Sequence, residues 1–231
     1  MKNTREISLG LLTLFISISL ISFSQSQFQF QENKGQLPNS VFSKVKVPGG
    51  SIFIEKGKFL YSFYNSKQVQ ERHDLIRKEN WIDAHSFSAT FLNSLESSEI
   101  KLSEKSNYFE NFYTSKKQVN DVHFYKELEQ KNIYQGIDLK IYYSQNNLKY
   151  DLIIHPNANE SKIRIKYTGQ DNIFLKNKNL IIETSINTVT ELAPFAYQII
   201  NDSVSPIKCE FKLKNNILSF DFPDSYDNTK D

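Results

Sequence analysis

The chain has 231 residues, 28 lysines and arginines against 26 aspartates and glutamates, and a net charge of +2, with no extended block of one sign. That balance excludes a nucleic-acid-binding stripe, and the length suffices for one large domain or two small lobes. A single cysteine, Cys209, excludes an intramolecular disulfide framework.

The first two dozen residues read as an export address. Lys2 and Arg5 form a basic start, Ile7 to Phe23 is an apolar run, and Ser22, Ser24 and Ser26 offer small residues to a peptidase. Cleavage is expected after Ser24 or Ser26. A membrane anchor is the competing reading, but Gly10, Thr13 and several serines dilute a run already short for ~30 Å of hydrocarbon. No cysteine follows the run, so a lipid anchor has no attachment point. The mature module is taken as residues 25–231, a segment of net charge +1 once Lys2, Arg5 and Glu6 are removed, with no membrane span left after cleavage.

The first ordered piece is expected at Glu32 to Pro38. Strands are predicted at Val41 to Val47, Ile52 to Glu55 and Phe59 to Phe63, separated by the turn residues Pro48-Gly49-Gly50 and Lys56-Gly57-Lys58. From Asn65 to Ala84 the alternation stops. This polar insertion, with Gln68 to Asn80 as a short helix or a mobile loop, contains the lone Trp81. Alternation resumes at Phe87, Ala89 and Phe91, then at Ile100 and Leu102. The aromatic but irregular stretch Tyr108 to Tyr134 reads as connecting strands.

Ile137 to His155 carries the clearest pattern. Ile137, Leu139, Ile141 and Tyr143 alternate with Asp138, Lys140, Tyr142 and Ser144, and beyond Gln145-Asn146-Asn147 the alternation continues through Leu148, Tyr150, Leu152 and Ile154. Period two on both arms is a half-buried antiparallel hairpin. Setting Tyr143 opposite Tyr150 places Tyr142 opposite Asp151 and Asp138 opposite His155.

Further strands are predicted at Ile163 to Tyr167, Ile173 to Leu175, Leu180 to Thr184, Val189 to Leu192, Ala196 to Ile200, Ile207 to Leu213 and Ile217 to Phe222. The predicted fold is all-β, an antiparallel β-sandwich of one domain or two lobes behind a signal peptide. In the pattern Ile207, Cys209, Phe211, Leu213 the thiol falls on the apolar face, which makes it a small buried hydrophobe.

Several ordered blocks carry a family resemblance. They are Glu32-Asn33-Lys34-Gly35-Gln36, Pro48-Gly49-Gly50-Ser51-Ile52-Phe53-Ile54-Glu55-Lys56, Tyr134-Gln135-Gly136-Ile137-Asp138-Leu139-Lys140, Leu148-Lys149-Tyr150-Asp151, His155-Pro156 and Glu191-Leu192-Ala193-Pro194-Phe195-Ala196-Tyr197-Gln198. In this order they resemble the N-terminal domain of unknown function of large secreted Bacteroidota surface proteins. There the domain precedes β-propeller (SBBP) repeats, PKD-like modules and a type IX secretion sorting domain. The resemblance implies a destination outside the cell or on its surface, or the periplasm if no sorting domain is attached, and it brings no catalytic residues. In that family a segment like Tyr226-Asp227 leads into a further strand, so the chain is expected to be the N-terminal part of an ancestrally longer surface protein or a free-standing module.

Sites are sparse. His73, His85, His123 and His155 show no metal-ligand spacing and no cysteine cluster joins them, so neither a metal nor a cofactor is expected. Asp138 and His155 form the one pairing with chemical potential, half of a catalytic constellation or an ordinary cross-strand pair worth about 0.2–1 kcal/mol. The structural reading of that pair is preferred. Tyr142, then Trp81, are the outward aromatics able to contact a ligand. The leading function is a non-catalytic structural or adhesion module, with surface glycans or other cell-surface proteins as partners. A carbohydrate-binding module is second. A hydrolase, which needs a third polar residue beside Asp138 and His155, is last.

Overall fold

The computed structural model describes residues 29–229, apart from 115–116, 145–146, 201–202 and 225. The expected signal peptide lies outside the described residues. The chain forms, in order, β1 (Phe30–Glu32), β2 (Val41–Val47), β3 (Gly50–Glu55), β4 (Lys58–Tyr64), α1 (Ser66–His73), β5 (Ala84–Phe91), β6 (Glu99–Tyr113), β7 (Gln118–Tyr134), β8 (Ile137–Ser144) and β9 (Asn147–Ile154). There follow β10 (Ile165–Thr168), β11 (Asn172–Lys176), β12 (Asn179–Glu183), β13 (Thr188–Glu191), β14 (Ala196–Ile200), β15 (Ser203–Ile207), β16 (Glu210–Lys214) and β17 (Ile217–Asp221).

Most strands belong to one antiparallel sheet in the order β16-β17-β10-β5-β4-β3-β2-β1-β7-β8-β9, with β6 paired to β7. The register explains why β2 to β5 form a meander. Val45, Ile52, Tyr61 and Phe87 face one another across successive strands, so one apolar column runs across the sheet. Within it the Tyr61 and Phe87 rings stack at 4.5 Å. The sheet curls across itself, because Tyr150 on its last strand packs edge-on against Phe59 of β4 at 6.3 Å. Two halves of one sheet thus face each other as a β-sandwich. Between them lies one continuous cluster that includes Phe30, Ile54, Phe91, Leu128, Leu139, Ile141 and Tyr167. Each such side chain contributes roughly 1.5–3 kcal/mol by leaving water. The small sheet β11-β12-β13 closes one side with Leu180 and Ile182.

Turns are set by particular residues. Asn33 organises the loop after β1, accepting from the Gly35 and Leu37 amides and donating to the Val41 carbonyl at 2.7 Å. Gly57 turns β3 into β4 at φ +62°, and a side chain there would meet Ser94.

Several expectations need correction. Tyr108 to Tyr134 is strand as expected, but as the end of β6 and all of β7, the two longest elements, which pair with each other from Glu99 opposite Lys131 to Tyr113 opposite Gln118. Register shifts between Lys105 and Phe109 and around Phe112, with Glu104, Asp121 and Asn132 at positive φ, reset the alternation and hide it from a period-two pattern. The hairpin register is also two residues from the expected one. Ser144 pairs with Asn147, so Tyr142 faces Lys149, Ile141 faces Tyr150 and Asp138 faces Ile153. A slip of two keeps every side chain on its expected face.

The strand expected from Ile207 to Leu213 is broken, with β15 ending at Ile207 and β16 starting at Glu210. Cys209 lies in the break and is half-buried rather than buried. In the insertion the helix is shorter and starts earlier than Gln68 to Asn80. Asn65 caps it by accepting from the Gln68 amide, and it closes by His73. β1, which joins the two halves of the sheet, has no counterpart in the expected strands, being only three residues long.

Candidate functional site

Three polar constellations and one apolar surface stand out. The first is built on the β8–β9 hairpin. Asp138 is 3% exposed, and its carboxylate accepts from the Asn132 amide at 2.7 Å, the Lys131 ammonium at 2.9 Å and His155 Nε2 at 2.9 Å. The structure thus brings Asp138 and His155 together as diagonal neighbours and adds two donors that no spacing signalled. Asn132 holds its place through a positive φ of 51° at the irregular end of β7. Burial alone would raise the Asp138 carboxyl, but the Asn132 amide, the His155 ring and the Lys131 ammonium outweigh it and hold it below the usual carboxylate range. A carboxylate so surrounded by donors anchors the strand ends.

The second constellation was not foreseen. Glu191, at the end of β13, reaches between the halves of the large sheet and accepts from Tyr167 at 2.6 Å and Tyr150 at 3.1 Å. The residue as a whole is half-buried, while its carboxylate is enclosed. Burial pushes this carboxyl above its ordinary value, and the two tyrosine hydroxyls offset part of that rise. Both phenols are in turn pushed up by burial and by the carboxylate beside them. The group ties the small sheet to β9 and β10. Glu191 opens one of the blocks quoted above, but one acidic residue at a strand end carries no sequence signal of burial.

The third is a serine–histidine contact. His85 Nδ1 lies 2.9 Å from Ser185 Oγ and accepts the Ser185 amide at 3.3 Å, while Nε2 faces the Gly169 carbonyl at 2.7 Å. Asp171 stands 4.0 Å away. The amide makes Nδ1 the acceptor and leaves Nε2–H to donate to Gly169. A base activating a serine uses the same couple. Here the amides of Ile186 and Asn187 are both taken by Thr184 Oγ1, so neither is free to stabilise an oxyanion. The arrangement latches the β12–β13 turn onto β5.

The apolar surface belongs to the two-stranded sheet β14–β15. Phe195, Tyr197 and Ile199 project from one face at two-residue spacing, and across the register Val204 stands opposite Ile199 and Pro206 opposite Tyr197. Phe195 is 74% exposed and Val204 63%. The Phe195 and Tyr197 rings are 5.8 Å apart, tilted by 35°. On the reverse face Gln198 is buried and holds the Asp227 backbone through two hydrogen bonds. Tyr142 is half-buried, hydrogen-bonds the Asp151 carboxylate and lies under Lys140. Trp81 is 59% exposed, but Arg77 covers one ring face at 4.8 Å. Among the described residues no group of three or more His, Cys, Asp or Glu side chains is placed to hold a metal ion, and no helix is long and apolar enough to cross a membrane.

The fold and these sites define an all-β module whose ionic groups brace its own sheets. Over residues 30–231 the chain matches the family described as Domain of unknown function (DUF7948), and it belongs to that family. No curated protein matches it, and no solved structure does.

Proposed function

We propose that the chain is a non-catalytic structural or adhesion module of an exported protein, acting at the cell surface or outside it, or in the periplasm where no sorting domain is attached. One observation carries this reading. The exposed, uncharged face of Phe195, Tyr197, Ile199, Val204 and Pro206 is a contiguous apolar surface of the kind that marks recognition sites. The ionisable groups able to do chemistry support it, because Asp138, Glu191 and His85 are each engaged by neighbours in the sheet.

A carbohydrate-binding role is the second reading, favoured by the exposed, tilted Phe195–Tyr197 ring pair. The test is saturable binding of labelled mature protein to intact bacterial cells and to a glycan array, run beside a panel of hydrolase substrates. Binding by the wild type, weakened about tenfold or more by Tyr197→Glu, with no turnover, is the expected result. Turnover that disappears in Asp138→Ala or His155→Ala at unchanged thermal stability would overturn it.

A further inference from the structure

A strand edge exposes backbone donors and acceptors, and proteins guard such edges with charge, bulges or proline. The large sheet follows this rule. Its outer strands carry Lys149 and Asp151 on β9 and Glu210, Lys212 and Lys214 on β16, while β6 carries Glu99, Lys101, Glu104, Lys105 and Glu110 together with register shifts. The β14–β15 ribbon departs from it. Ala193 to Ile200 and Ser203 to Ile207 hold no charged side chain, and among the described residues each strand pairs only with the other.

The two edges of this ribbon are not equivalent. Pro206 has no N–H, so its pairing with Tyr197 is the kind in which neither residue bonds across the ladder. By the alternation of the ladder, the N–H and C=O groups of Tyr197 and Ile199 point away from β15, and so do those of Val204 on the other edge. Proline blocks the β15 edge. The β14 edge has no such block, and the same Tyr197 and Ile199 supply the exposed apolar face.

We infer that the outer edge of β14 is the docking site for an extended segment of a partner polypeptide, which adds as a strand beside Tyr197 and Ile199 and extends the Phe195–Ile199 face with its own apolar side chains. The inference rests on the reading of the chain as a recognition module and names the partner's form. Strand addition satisfies the free backbone groups and covers apolar surface in one step. A sugar stacked on Phe195 and Tyr197 leaves Ile199, Val204 and the edge unused. A second copy pairing β14 with β14 about a two-fold axis puts both apolar faces on the same side, which doubles the surface left in water.

The probe is a soluble peptide alternating valine and threonine between terminal lysines, titrated into the mature protein and followed by NMR and calorimetry. Valines opposite Tyr197 and Ile199 direct their own backbone groups at β14. Methylating the valine amides is therefore expected to weaken binding by about tenfold or more, and methylating the threonine amides to leave it intact. Ile199→Pro removes an outward N–H without touching the bonds to β15. It is expected to abolish binding with the melting temperature unchanged. If Ile199→Pro unfolds the ribbon, the two methylated peptides on wild-type protein still decide. Equal binding of both peptides, no binding of the unmodified peptide, or an Ile199-dependent dimer in solution would overturn the inference. In each case cell or glycan binding that is lost in Tyr197→Glu leaves the adhesion reading standing, and absence of that binding too removes both.

Discussion

Asp138→Ala is expected to destabilise the protein by about 2–4 kcal/mol in chemical denaturation, because a buried carboxylate facing three donors is removed and the Asn132 amide is left without its acceptor. His155→Ala is expected to cost less than about 1 kcal/mol, since its side chain is 42% exposed and solvent replaces the lost bond. The cross-strand range of about 0.2–1 kcal/mol therefore suits the histidine and understates the aspartate. Asp138 and Glu191 have opposite pH signatures. Asp138 is held below its unfolded value, so its stabilisation is present above about pH 4 and is lost as the pH falls. Glu191 is raised, so its stabilisation is full below the unfolded value and is lost as the pH rises through the folded one. Glu191→Gln should thus gain on the wild type as the pH rises above about 4 in paired denaturation curves, and a constant difference would contradict the burial of that charge. Cys209 offers a third check. Burial first, then Asp221 and Glu210, push its thiol up to about 11. Thiol labelling at neutral pH should be slow in native protein and rapid after denaturation.

Among the elements, the β14–β15 ribbon is the most loosely tied, since an isolated two-stranded sheet is marginal in water and Gln198 supplies the hydrogen bonds that anchor it to the chain near Asp227. Gln198→Ala should raise amide exchange across residues 196–207 while leaving the melting temperature of the core unchanged. Protection equal to the wild type would mean that contacts other than Gln198 hold the ribbon. The long β6–β7 hairpin sits at the other extreme. Its inner half pairs with β8, and Leu128 and Ile133 are fully buried. Its outer half carries Tyr113 at 68% exposure and charged neighbours that discourage edge pairing.

At the scale of the whole molecule, one cluster of buried side chains spans both halves of the curled sheet and takes in Leu180 and Ile182 of the small sheet. The described core therefore has no seam between two lobes. Heating should give a single cooperative transition reported alike by far-ultraviolet dichroism and by calorimetry. Two separated transitions would restore the two-lobe alternative.

Local patterning determined the all-β class, the β2–β5 meander and the β8–β9 hairpin, because alternating side chains such as Ile137, Leu139 and Ile141 report directly which strand face meets the core. The same pattern put Asp138 and His155 on one face, and that proximity survived a two-residue change of register. It was blind to β6 and β7, whose irregularities shift the alternation in mid-strand. It was equally blind to Glu191, Tyr150 and Tyr167, which lie far apart in sequence and meet only because the sheet curls and β13 closes over it. Phe195, Tyr197 and Ile199 alternate as a buried strand does, yet they face solvent. Periodicity fixes which residues share a face. What covers that face is decided by where distant strands pack, and here the large sheet closes on itself and leaves the ribbon uncovered.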